Sequence, residues 1–245
     1  MTDGVGTNGS LESLLVVQEH DSAIDALKHS RESMKERSEL TALMSEGARL
    51  HAGLGELRDG RDAVLSEERR LDDEARSLSE KAKEMETRLY SGTISSPREL
   101  QAIQADVEQL KRHRTSLEDR EIEVMEQRES LDAEVAEAEG ALRRAAVEVE
   151  RLQAVIAAAE TEIDAQIAAR VEARRGLVTA LPGTLLADYE RRRAVNRGVG
   201  AARLAGNTCQ ACRLSIPASE VDRIRHSTAD TLAYCDNCGA ILVAS

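Results

Sequence analysis

All four cysteines of the 245-residue chain fall within its last 37 residues, as the pairs Cys209–Cys212 and Cys235–Cys238, each spaced C-x2-C. Thiols in that pattern can form two disulfides, work as a redox dithiol, or bind one metal ion. The N-terminal stretch MTDGVGTNGS is polar, and the following LESLLVVQEHD is too short and too soon charged for a signal sequence or a membrane span. The expected compartment is therefore the cytoplasm, where stable disulfides are rare. A redox C-x-x-C normally opens a helix beside a strand of a βαβ unit, and no such pattern surrounds either pair. One zinc ion held by four thiolates accounts for both pairs at once, each supplying one edge of a tetrahedron. Gly239, directly after the second pair, suits a tight knuckle with positive φ. With sulfur at all four positions there is no place for a catalytic water, so the expected ion is one structural Zn2+, with Cys209, Cys212, Cys235 and Cys238 as ligands. A redox role for the pairs stands as the alternative. His20, His29, His51, His113 and His226 are scattered and are assigned no ligand role.

The elements that must position these thiols are mostly helical. The chain is 32% charged and 1% aromatic, without Phe or Trp, and a globular core of this length would bury several aromatic rings. Leu43, Leu50, Leu57, Val64, Leu71, Leu78 and Met85 recur every seven residues, with Leu54, Ala75, Ala82 and Leu89 at the offset position. Leu131, Val135, Ala138, Leu142, Ala145, Val149, Leu152, Ile156, Ala159 and Ile163 repeat the alternation of three and four. Such a narrow seam buries itself against another helix. Between the two runs lies YSGTISSPREL. Gly92 is placed to end one helix, and Ser96, Pro97 and Glu99 read as N-cap, N1 and N3 of the next. The spacing predicts an antiparallel coiled-coil hairpin over residues 11–176 with its tip at 91–97, after a disordered segment 1–10. Arms of roughly 80 residues would extend on the order of 120 Å. Arg61, Glu68, Arg114, Glu121 and Arg128 interrupt the seam and read as polar layers that set register. Gly47, Gly53, Gly55 and Gly60 weaken the first arm, and a kink or break is expected there, with close approach to the Ala-rich stretch 133–146.

Beyond Arg175, Pro182 and Gly183 break the long helix, and Thr184 can cap a short one running to about Ala194. Residues 177–199 read as a linker with that helix, and residues 200–245 as a small β zinc ribbon. A helix from Pro217 to about His226 is expected between the thiol pairs, with Val221 and Ile224 on one face. So small a unit needs the metal for stability. The fold class is thus mainly α: a long antiparallel coiled-coil hairpin followed by a C-terminal β ribbon. From Asp188 to Arg225 there are eight arginines against four carboxylates, in a chain of net charge −12. Arg191, Arg192, Arg193, Arg197 and Arg203 are candidate contacts for an anionic partner. A solvated helix face is the plainer reading of Arg191–Arg193.

The stretches SSPREL at the tip, LLADYERRR before the ribbon, GVGAARL leading into it, and CQAC and CDNCG around PASEVDRIR resemble a bacterial C4-type zinc-ribbon family with an N-terminal coiled-coil hairpin. The heavy use of Arg over Lys and of Ala is that of an actinobacterium-like member. The resemblance implies a kinked hairpin, zinc at the four cysteines, and an adaptor in place of an enzyme. Family members are associated with an alternative sigma factor, messenger RNA, and flagellar or type III secretion components. The expected function is a non-enzymatic adaptor mediating protein–protein interactions, with no membrane contact and as a monomer, since an intramolecular hairpin already satisfies the seam. The alternative is RNA or DNA binding through the basic ribbon end.

Overall fold

The structure is a computed structural model that describes residues 8–226 and 231–244. In chain order the elements are α1 (Asn8–Glu32), α2 (Lys35–Tyr90), α3 (Pro97–Val178), α4 (Gly183–Val195), β1 (Ala201–Ala205), β2 (Thr208–Cys209), α5 (Ala218–His226), β3 (Ala233–Tyr234) and β4 (Ile241–Ala244). Of the segment expected to be disordered, residues 1–7 lie outside the described residues, and residues 8–10 are already helical. The chain divides into two units. One is Glu39–Leu152; the other joins the chain up to Ser38 with the chain from Gln153 onward.

In the unit Glu39–Leu152, α2 and α3 run antiparallel. Stepping from Glu86 to Glu68 to Arg58 on α2 is matched by Lys111, Arg128 and Glu139 on α3, three ion pairs that fix the register. Leu54, Leu71, Ala75, Ala82, Ile103, Val107, Leu117 and Val135 are buried in the seam. Two helices leave one side of a seam open, which is why Leu50, Leu57, Val64 and Leu78 of the same heptad run are only half-buried. Between the arms, Gly92 has φ 72, and the Ser96 carbonyl accepts the Leu100 N–H at 3.1 Å to open α3. The interrupted layers take two forms. Glu68 and Arg128 pair across the helices, Arg128 Nη1 donating to both carboxylate oxygens at 2.8 Å. Arg61 and Arg114 instead pair along their own helices, with Asp62 and Glu118.

The first arm is broken, but not where glycine predicts. α2 runs without interruption through Gly47, Gly53, Gly55 and Gly60, and a Cβ added at any of them would meet nothing within 4 Å. These glycines therefore do not serve a close approach of the two arms. The break falls at Ser33–Met34, between α1 and α2. Ser33 Oγ donates to the His29 carbonyl at 2.7 Å, a local bond that competes with continuation of the helix. Arg37 Nε donates to the Arg31 carbonyl at 3.0 Å, capping a group the break leaves over. Arg31 and Arg37 both reach Glu160 of α3.

In the second unit the strands form one sheet in the order β2-β1-β4-β3. β1 and β4 pair in parallel, Ala201 opposite Ile241 through Leu204 opposite Ala244; β2 and β3 add at the edges antiparallel. The period-two alternation of strands gives the sheet two apolar faces. One, with Ala201, Ile241 and Val243, packs on Leu14, Leu15 and Val17 of α1 and on Leu181, Leu185 and Tyr189 in and before α4. The other, with Ala202, Leu204 and Leu242, packs on Ile216, on Val221 and Ile224 of α5, and on Cys209 and Cys235. The ribbon is thus not a free-standing bead after a linker, because its sheet shares a core with the first helix of the chain.

Polar groups close the same junction. Gln18 of α1 accepts from the Gly200 N–H at 2.7 Å and the Ala201 N–H at 3.2 Å, and donates to the Gly198 carbonyl at 2.9 Å. Asp21, almost wholly buried, accepts from Tyr189 Oη and from Arg174 Nε, each at 2.7 Å. Arg174 also pairs with Glu190, and Arg193 with Asp25 at 2.6 Å. Burial and the adjacent Asp21 carboxylate push the Tyr189 hydroxyl far above its ordinary range, so it stays protonated and donates to Asp21. A Cβ at Gly200 would sit 2.5 Å from the Tyr189 ring, so glycine is required at that crossing.

Candidate metal centre

Two knuckles of the same construction face each other. In the first, Cys209 N–H donates to the Leu214 carbonyl at 3.1 Å and Arg213 N–H to the Cys209 carbonyl at 2.8 Å; in the second, Cys235 N–H donates to Ala240 at 2.9 Å and Gly239 N–H to Cys235 at 2.7 Å. Each turn needs positive φ at the residue after its second cysteine. Gly239 supplies it at φ 72, as its sequence position implies, and Arg213 adopts φ 60 at the equivalent place. Nothing in the residue type Arg signals that strain; only the equivalence of the two knuckles does.

The four sulfurs lie within 4.8 Å of one another. Across the knuckles, Cys209 Sγ is 3.9 Å from Cys238 Sγ, and Cys212 Sγ is 3.8 Å from Cys235 Sγ. A tetrahedron of sulfurs about zinc, with Zn–S near 2.3 Å, has edges of about 3.8 Å. The residues present therefore fit one four-thiolate ion, and none of the four thiols is in a disulfide. Cys209 and Cys235 are buried; Cys212 and Cys238 are partly exposed. Burial pushes the Cys209 thiol up and the Cys238 thiol up to about 12, whereas the Leu214 N–H directed at Cys212 holds that thiol below the usual range. Further backbone N–H groups, from Ala211 and Cys212 to Cys209 and from Ala240 to Cys238, favour the thiolate form. Such donors spread the charge of about −2 that a four-thiolate zinc centre carries.

The second knuckle is wired to α4. Arg192 Nη1 donates to the Gly239 carbonyl at 2.6 Å, its Nε donates to Asp188 at 2.9 Å, and its guanidinium lies 3.6 Å over the Tyr234 ring. Asp188 would be raised by burial, but hydrogen bonds from Arg192 and Arg191 outweigh this and hold it below its ordinary value. The basic collar expected to meet an anionic partner is accordingly divided: Arg192 and Arg193 are turned inward, whereas Arg191, Arg197 and Arg203 stay exposed. Arg192 serves the knuckle, Arg193 the Asp21–Asp25 cluster, and Arg203 pairs with Glu12 at 2.8 Å; Arg191 pairs with Asp188 while staying mostly exposed. Arg197, at φ 49, turns the chain after α4. The physical reason is that α1 brings Glu12, Asp21 and Asp25 against this segment, carboxylates more than 160 positions away in sequence. Gln18 and Asp21 have no periodicity or motif to mark them, and sequence reading passes over them; Tyr189 falls within LLADYERRR, but nothing there shows its bond to Asp21.

A parallel-cored ribbon with two knuckles around four thiolates defines a C4 zinc ribbon, here preceded by a helical hairpin. The C4-type zinc ribbon domain model matches residues 208–242, and the CT398-like coiled coil hairpin domain model matches residues 17–197. The chain belongs to the CT398-like coiled-coil hairpin family. Two Mycobacterium tuberculosis proteins, Rv2229c of strain H37Rv and MT2288 of strain CDC 1551, are each 29% identical over 232 residues, covering 94% of both chains. A solved structure from Mycobacterium smegmatis is 28% identical with TM-score 0.84, covering 97% of this chain and 99% of that one. CT398 from Chlamydia trachomatis shares the fold at TM-score 0.69 and 15% identity, covering 97% and 98%. The bound ion implied by this family is one structural zinc, held by Cys209, Cys212, Cys235 and Cys238.

Proposed function

We propose that the chain is a non-enzymatic adaptor that binds other proteins through its helical surfaces, with zinc serving only to hold the ribbon together. The observation that carries this reading is the closed metal site: four sulfurs complete the tetrahedron, leaving no coordination position for substrate or water. The ribbon sheet is also covered on both faces, by α1 and α4 on one side and by α5 and the knuckles on the other. Large apolar side chains left in solvent include Met44, Ile122, Val147 and Tyr90 on the long helices, with Val195 and Leu214 in and beside the ribbon. No helix among the described residues is long and apolar enough to cross a membrane. The inward commitment of Arg192 and Arg193, and the surface pairing of Arg203 with Glu12, reduce the support for a nucleic-acid surface at the ribbon, for which Arg191 and Arg197 remain exposed.

Full-length protein carrying a photo-crosslinking residue at Tyr90, Ile122 or Val147 should give a discrete protein adduct in cells of its source. Adducts with RNA, or none at all three positions, would replace the adaptor reading.

A further inference from the structure

Within the unit Glu39–Leu152, Leu50, Leu54, Leu57, Leu131 and Ala138 floor an open groove of about 500 Å³ beside Gly53. Gly53, which lines it, and Gly60 further along α2 are unexplained by the fold. Gly53 and Gly60 lie seven residues apart on one face of an uninterrupted helix, with Glu56 between them. Neither has positive φ, and an added Cβ at either would meet nothing within 4 Å. Helical glycine weakens a helix relative to alanine, and here no contact inside the chain uses the space it leaves. A backbone from outside could approach closely at these two positions.

The rim of the groove is acidic. Residues 46–60 and 131–138 hold six carboxylates, Glu46, Glu56, Asp59, Asp132, Glu134 and Glu137, against two arginines, Arg49 and Arg58. Both arginines are already paired, Arg49 with Glu46 and Arg58 with Glu139. Among the described residues, no basic side chain lies within ion-pairing reach of Glu56, Asp59, Glu134 or Glu137. Of these, Glu56 lines the groove itself on α2, and Glu134 and Glu137 lie in the α3 segment between its lining residues Leu131 and Ala138.

We infer that this groove is the docking site of a basic amphipathic helix, which lays an apolar face on the leucines, packs its backbone against Gly53, and meets Glu56 and the carboxylates of the neighbouring α3 segment with lysine or arginine. The excess of carboxylates disfavours a second copy of this same surface as occupant, because like charges would face each other. This inference rests on the adaptor reading and names the partner surface that reading leaves open.

The test uses full-length protein and a labelled peptide of about 14 residues, long enough to follow the groove at 1.5 Å per residue. The peptide carries a Leu/Ala face and Lys flanks, and a control replaces every Lys with Glu. The Lys peptide should bind in fluorescence anisotropy, more weakly as salt rises, and the Glu peptide should not. Gly53→Leu fills the groove and should weaken binding at least tenfold while raising the melting temperature, so that lost binding cannot come from misfolding. Glu56→Gln with Glu137→Gln should reduce both the affinity and its salt dependence. Equal binding by the two peptides, or unchanged binding to Gly53→Leu, would overturn the inference. So would a wild-type dimer in sedimentation that Gly53→Leu dissociates, since the occupant would then be a second copy. If Gly53→Leu keeps the protein adducts described above, the groove assignment fails alone; if wild type forms none, the adaptor reading fails.

Discussion

Arg213 and Gly239 occupy equivalent places in the two knuckles, both at positive φ. For an L-residue that conformation costs roughly 1–2 kcal/mol. Arg213→Gly should therefore raise the stability of the zinc-loaded protein, by up to about 1 kcal/mol, and Gly239→Ala should lower it by a similar amount. Thermal melts of the two variants check both signs. Replacing any one of the four cysteines with Ser should reduce bound zinc well below one per chain, read by metal analysis of the purified protein. Arg192 acts on the same site through the Gly239 carbonyl, as a positioning residue. Asp188, which holds Arg192, has its folded-state pKa below the ordinary 3.8. Its contribution is therefore present above the unfolded value and is lost as pH falls through the folded one. Asp188→Asn should be less stable than wild type near neutrality, and the gap should narrow as melts are taken from pH 6 down toward about pH 3.

At the scale of the helices, the Glu68–Arg128 layer makes a clear test. Both side chains are mostly buried and hydrogen-bonded across the arms. Glu68→Leu alone leaves the guanidinium with only the more distant Asp132, at 3.8 Å, and should destabilise by about 3 kcal/mol in denaturant titrations. Glu68→Leu with Arg128→Leu should recover most of that loss or exceed wild type. Much of this level was readable beforehand. The heptads placed both arms, SGTISSP placed the tip, and Glu68 and Arg128 stood out as apolar positions occupied by charge. What was not readable came from competition between local signals. Four glycines suggested a break in α2, yet helical hydrogen bonds and the seam residue Leu54 carry the helix through them, while a serine with a single back-bond to His29 marks the actual break. The four ligands were legible because C-x2-C spacing encodes geometry locally. The junction that seats the ribbon was not, because Gln18 and Asp21 of α1 meet Ala201 and Arg193 only across more than 160 positions of sequence.

For the molecule as a whole, the sharing of one core by α1 and the ribbon changes what loss of zinc should do. A ribbon on a free linker would unfold by itself beyond about residue 200. Here Leu14, Leu15 and Val17 pack on Ile241 and Val243, so a zinc-free Cys235→Ser variant should also lose amide protection across residues 14–24. The seam between Leu54 and Val135 should keep its protection. Hydrogen exchange followed by mass spectrometry separates the two outcomes, and protection retained over 14–24 would mean that α1 is held by the helices alone.

The parallel pairing of β1 with β4 also has a meaning in time. During synthesis the apolar face of α1 emerges first, and the strand that completes the sheet beneath it emerges among the final residues described. Through most of translation, Leu14, Leu15 and Val17 have no permanent neighbour, while α2 and α3 can already zip along contacts close to their turn. The base of the protein is thus a late-closing clasp. Loss of the residues from Ile241 onward, by premature termination or trimming, would leave the two long helices paired and all four cysteines of the ribbon present, but would set α1 adrift as an adhesive, protease-sensitive segment.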